Sequence, residues 1–179
     1  MNLTGQIESA ELQFKQLLED FFISIYDERL LPSHGIDHHR RVWLHAKELL
    51  KIFPFRNSDL ALRLPSKLII ACYLHDIGMS VDQGIRHGQF SKAICHTFLK
   101  ENKLVEEDYY DVLETIENHD LKDYSENKAF NELHTILSAA DDLDAFGFTG
   151  IYRYAEIYLL RGVKSDEIGK LIKENSALP

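Results

Sequence analysis

Along almost all of this 179-residue chain, apolar residues recur at intervals of three and four, and nowhere do they alternate over a useful length. A period near 3.6 confines the fold to packed helices, because alternation is what builds a half-buried strand. The first such segment is Ser9 to Leu30, where Leu12, Leu17, Leu18, Phe21, Phe22 and Ile25 form a stripe opposite Glu, Lys and Asp. Pro32, Ser33 and Gly35 interrupt it, and a second helix is predicted over Ile36–Ile52 with Val42, Leu49 and Trp43 inward. Pro65 suits the first turn of a third helix running to His75 and ending near Gly78. Further helices are expected over Gly88–Glu101, Leu104–His119, Asn131–Phe146 and Thr149–Leu160. Ser165 caps a last one, with Asp166 and Glu167 in its first turn. No Asn-Gly hairpin, internal repeat or linker is visible. The expectation is a single all-α bundle of seven to nine helices spanning 1–179, with residues 1–31 packing as an N-terminal helix on the rest.

Composition narrows the partners. Twenty Lys and Arg against 29 Asp and Glu leave a net charge of −9, which disfavours a nucleic acid duplex or an anionic membrane surface. No signal-like N-terminus and no apolar run near 20 residues is present, so the expected location is the cytoplasm. Cys72 and Cys95 read as buried thiols rather than a disulfide. The unexplained quantity is histidine, nine in number.

Several histidines stand where helices end, beside carboxylates. His38 lies in the first turn of the second helix, His75-Asp76 closes the third, His87 opens the next and His119 ends the one after. Asp141 follows the apolar run Ile136-Leu137-Ser138-Ala139-Ala140, where an unpaired carboxylate would be expensive to bury. Each alone reads as a cap or a hydrogen-bonded structural group; together they are candidates to converge on a divalent cation.

Four motifs in order carry a resemblance. His38-His39-Arg40-Arg41-Val42 followed by Ala46, Tyr73-Leu74-His75-Asp76-Ile77-Gly78, His87-Gly88 with Ser91, and Ala140-Asp141-Asp142-Leu143-Asp144 resemble the HD superfamily of metal-dependent phosphohydrolases. Gly150-Ile151-Tyr152-Arg153 is similar to the segment after the last motif in small bacterial members, and the likeness spans about residues 33–161. The resemblance implies His38, His75, Asp76 and Asp141 as metal ligands. The metal would be Mn, Mg, Co, Ni or Fe, with one ion favoured and a second allowed. It implies an enzyme that cleaves a phosphoester or phosphoanhydride of a small phosphorylated substrate, a nucleotide in the first place, by metal-activated water. Asp76, His87 and His119 are the catalytic candidates. His87 and His119 either stay outside the metal shell, protonating a leaving oxygen or binding phosphate, or bind a second ion.

Weaker candidates surround this set. Arg41 is a phosphate contact or the partner of a carboxylate; His34 lines the pocket mouth or is solvated; Lys122 meets a phosphate or belongs to a polar loop. His45 supports the site or packs in the core, and Tyr152, Tyr154 and Tyr158 read as helix packing rather than a platform for a base. Among branches of the superfamily, Gly78-Met79-Ser80-Val81 after the doublet does not resemble the Glu-Asp of guanosine tetraphosphate hydrolases, and no Gly-Tyr-Pro segment is present. The chain is most similar to the small bacterial group that includes nucleoside triphosphate pyrophosphohydrolases. It departs at Asp142, where those relatives more often have Arg. Two other classes remain open: a diiron, O2-dependent oxygenase using all six His and Asp positions, and a non-catalytic metal- or nucleotide-binding module. A homodimer is compatible with all three.

Overall fold

The computed structural model describes residues 2–26, 31–52, 58–121 and 131–176. Among them are eight α-helices and no strand: α1 Leu3–Ile25, α2 Ile36–Ile52, α3 Ser58–Leu74, α4 His87–Glu101, α5 Tyr110–Asn118, α6 Glu132–Asp144, α7 Gly147–Leu160 and α8 Ser165–Ser176. The all-α expectation is therefore met. None of these helices is long and apolar enough to cross a membrane.

Helix α3 is the axis of the core. From Leu68 to Leu74 every side chain is buried, apolar all round as a helix must be when neighbours cover every face. α1, α2 and α5 pack against it, and α2 also lies along α6. Side-chain bonds fix α1 in place: Glu19 of α1 accepts from Arg40 of α2 and from the Tyr73 hydroxyl of α3, and Glu11 accepts from Trp43 and Lys47.

Three elements differ from the sequence expectation. α1 starts six residues earlier, because the Asn2 side chain accepts from the Gly5 amide and caps the helix there. The buried stripe is Ile7, Ala10, Phe14, Leu18 and Phe22, which leaves Leu12, Leu17 and Ile25 exposed rather than inward. In α3, Pro65 lies inside one continuous helix instead of opening a separate one. An interior proline costs about 3 kcal/mol, a penalty the wholly buried segment beyond it can offset. The stretch predicted as one helix over Leu104–His119 begins as a 3-10 turn, Glu106–Tyr109, before α5. Cys72 and Cys95 are free and buried.

Two glycines let α4 pack closely, Gly78 against the segment after α3 and Gly88 against α5. A Cβ at Gly78 would collide with the His87 carbonyl and the Ser91 amide, and one at Gly88 would lie 2.5 Å from the Glu117 carbonyl oxygen. The Gly78 amide donates to Ser91 Oγ at 2.8 Å. The His-Gly-x-x-Ser spacing is thus a packing joint that seats His87 beside Asp76.

Candidate metal centre

Four helix ends and one helix interior deliver six side chains to one buried place. Asp76, 3% exposed, is at its middle and uses its two oxygens in opposite directions. On the Oδ2 side lie His38 Nε2 at 3.6 Å and His75 Nε2 at 3.4 Å. Asp141 Oδ1 completes that group, 3.6 Å from His38 Nε2 and 3.8 Å from His75 Nε2. On the Oδ1 side lie His119 Nε2 at 2.9 Å and His87 Nε2 at 3.4 Å. Both groups, His38–His75–Asp76–Asp141 and Asp76–His87–His119, have the spacing of a ligand set. Donors about 2.1 Å from one ion lie about 3.0–3.4 Å from each other, which these separations approach.

The tautomers sharpen the point. His75 Nδ1 donates to the Cys72 carbonyl, His87 Nδ1 to that of Gly84 and His119 Nδ1 to that of Ile116, at 3.0, 2.7 and 2.7 Å. His38 Nδ1 donates to Asp144 Oδ2 at 2.8 Å. With Nδ1–H committed outward, each neutral ring turns a bare Nε2 lone pair inward. Two such pairs face each other at 3.3 Å, His38 with His75 and His87 with His119. Facing lone pairs repel unless a cation or a proton lies between them. The residues therefore fit a divalent metal.

The electrostatics agree. Burial alone would raise the Asp76 carboxyl, but the surrounding His75, His119 and His38 imidazoles hold it well below the usual range. Asp141 is likewise held down, burial being outweighed by Arg153 and His75. Burial lowers the His75 and His87 imidazoles, yet the carboxylates around them win. His75, beside Asp76 and Asp141, is pushed up to about 10; His87, beside Asp120 and Asp76, to about 11. A cluster that holds protons this firmly is one that demands positive charge.

Of the weaker candidates, His34 is buried at the edge of the cluster, its Nε2 4.0 Å from Asp76 Oδ2, and burial lowers it to about 3, so it is neutral. Its Nε2 accepts from Arg153 at 3.3 Å. Arg41 does not reach the cluster with a free guanidinium: its Nε and Nη2 donate to Asp144 at 2.6 and 3.1 Å. Lys122 lies outside the described residues. His39 is buried against the Phe22 ring, with Nδ1 on the Cys72 carbonyl and Nε2 unpartnered among the described residues. His96 pairs with Glu106 at the surface, and His45 is half-buried.

Three groups at the centre were not singled out from sequence. Asp144 binds His38, Arg41 and Arg153; its spacing of three from Asp141 on one helix was the available signal. Arg153 is buried, donating to Asp141 at 3.0 Å and to Asp144 at 3.3 Å. Asp120 has Oδ2 3.1 Å from His87 Nε2. Only the fold brings it there, for nothing in a polar stretch after His119 marks it.

An all-helical chain with a buried cluster of His and Asp donors, most of them at helix ends, defines a class of helical domain whose cluster could hold a metal ion. Comparison with known families then matches the HD domain over residues 35–145, and the chain belongs to that family. Among curated proteins and solved structures, no match to the chain was found. The family is mostly one of metal-dependent hydrolases acting on phosphate substrates.

Proposed function

We propose that this protein is a metal-dependent phosphohydrolase that cleaves a phosphoester or phosphoanhydride bond of a small phosphorylated compound, a nucleotide in the first place. The observation that carries the reading is the convergence of five further donors on the two oxygens of one buried carboxylate, Asp76, with every inward imidazole tied off at Nδ1.

His38, His75, Asp76 and Asp141 would hold one divalent ion. The opposite use of Asp76 supports a second, held by Asp76, His87 and His119, in place of the single ion favoured from sequence. Such ions lower the pKa of water and polarise the phosphorus centre. The chain's own residues supply the frame. Nδ1–H donation fixes the orientation of four rings, Arg153 keeps Asp141 ionised and aimed, and Asp144 holds His38. His87 and His119 act here as ligands rather than as proton donors. A cleft of about 230 Å³ opens beside Asp76 and Asp141, with His34 and Arg153 at its wall, and would admit the phosphate.

The test is phosphate release from a panel of nucleotides and simple phosphate esters, with the chelated protein reconstituted with Mn, Mg, Co, Ni or Fe. Turnover should require metal and vanish in Asp76→Ala. Oxygen uptake with two irons per chain and no phosphate release would support the oxygenase instead. Nucleotide binding with no product under any metal would support a binding module.

A further inference from the structure

One face of α7 forms a wall of the cleft that reaches the cluster. Tyr154, Ile157, Tyr158 and Arg161 recur at i, i+3, i+4 and i+7 and all line the cleft that reaches Asp76 and Asp141. Arg153, next to Tyr154, is bonded to Asp141, so that end of the face is anchored at the metal cluster. Seven residues of helix carry the wall about 10 Å further, to Arg161. There Arg161 also borders a second cleft, of about 580 Å³, whose walls include His87, His119 and Asp120. α7 therefore crosses the mouth from one half of the cluster to the other, with Arg161 where the two clefts meet.

The chemistry of this face is uneven. Tyr154 and Tyr158 have nearly parallel rings, 6.1 Å apart and inclined at 23°, and with Ile157 they are half-buried. Arg153 and Arg41 are both engaged by carboxylates. Arg161 is exposed, and among the described residues its guanidinium has no carboxylate partner. In a cleft that also holds Asp76, Asp120, Asp141 and the carboxylate-bound Arg153, the Arg161 guanidinium is paired with none of these carboxylates among the described residues, and its five N–H donors match a phosphate. In a phosphate monoester the one phosphate would be taken by the cluster, leaving nothing for Arg161 to hold.

We propose that Arg161 forms a second anion subsite, which binds a substrate phosphate other than the one at the Asp76 cluster, while Tyr154, Ile157 and Tyr158 receive the organic part. The inference rests on the phosphohydrolase reading and deepens it: Arg161 is the residue that selects substrates with two linked phosphates over those with one.

The experiment is calorimetric titration of the Mn-loaded protein with orthophosphate and with methylenediphosphonate, which cannot be hydrolysed. The wild type, Arg161→Ala, Arg161→Lys and the control Arg63→Ala are compared, Arg63 being an exposed residue of α3 that pairs with Asp108 and lines neither cleft. The wild type should bind the diphosphonate more tightly than orthophosphate. Arg161→Ala should weaken the diphosphonate about 10-fold or more and leave orthophosphate unchanged, Arg161→Lys should recover part of the loss, and Arg63→Ala should match the wild type. Equal affinities of wild type and Arg161→Ala for the diphosphonate would overturn the subsite. So would an equal loss for both probes, since Arg161 would then act through the cluster or the general field. A wild type that binds neither probe in any metal form would count against the phosphohydrolase reading itself, and the subsite would fall with it.

Discussion

Replacing Asp144 with Asn should disable the centre without touching a metal-facing atom. Asp144 is buried and accepts from His38 Nδ1 at 2.8 Å, Arg41 Nε at 2.6 Å and Arg153 Nη1 at 3.3 Å. Asparagine keeps the shape, removes the charge and turns an NH2 group toward guanidinium donors. Arg153 would keep only Asp141 as a carboxylate partner. Breaking a buried charge pair from one side costs about 3–5 kcal/mol. The Arg41 side chain is 38% exposed, so water can replace part of what it loses and the lower end applies, about 3 kcal/mol. For a chain of this size that lowers the melting temperature by roughly 6–12 °C. Losing the group that orients His38 should also weaken metal binding about 10–100-fold. Thermal melts with and without Mn, beside a metal titration, measure both effects. A variant that melts within about 2 °C of wild type and keeps its metal affinity would refute the assignment of Asp144 as the group that positions His38.

Metal binding at pH 7 should release about two protons per chain, because His75 at about 10 and His87 at about 11 are both protonated in the metal-free protein. Calorimetry in buffers of different ionisation enthalpy counts them, and no release would contradict the cluster electrostatics. For the metal-free protein the sign of the His75 contribution is set by its raised pKa. The contribution is fully present below the ordinary value of about 6.5 and is lost as pH rises through about 10. Melting temperature should therefore fall across that window and fall less with metal bound; a flat metal-free profile would count against it. Gly88→Ala should push α4 from α5, since the new Cβ would lie 2.5 Å from the Glu117 carbonyl oxygen. The expected cost is about 1–3 kcal/mol with weaker binding at the His87–His119 group, read by melts and by metal stoichiometry.

The helices were legible because burial imposes a period, and the residues of the cluster because His and Asp gather at helix ends. His75-Asp76 and Asp141 each follow an apolar run, where a titratable group is out of place, whereas His38 stands among polar neighbours and was marked only by its place in the ordered motifs. Asp144 and Arg153 were harder: both lie in segments that carry the family resemblance, but only the packing of α6 and α7 against α2 and the loop before it gives them partners. Arg41 was readable as a cation near the site but not as one already engaged by Asp144. Asp120 carries no local signal at all, since its approach to His87 depends on how α4 and α5 meet. The start of α1 turned on one capping side chain, Asn2, and the path of α3 on whether burial outweighs a proline.

The most direct test of the metal centre is anomalous diffraction at the manganese edge from crystals of the Mn-loaded protein. Two peaks about 3.5–4 Å apart are predicted, one beside Asp76 Oδ2 with His38, His75 and Asp141, the other beside Oδ1 with His87 and His119. No peak at Asp76, or ions bound only elsewhere on the chain, would contradict the account.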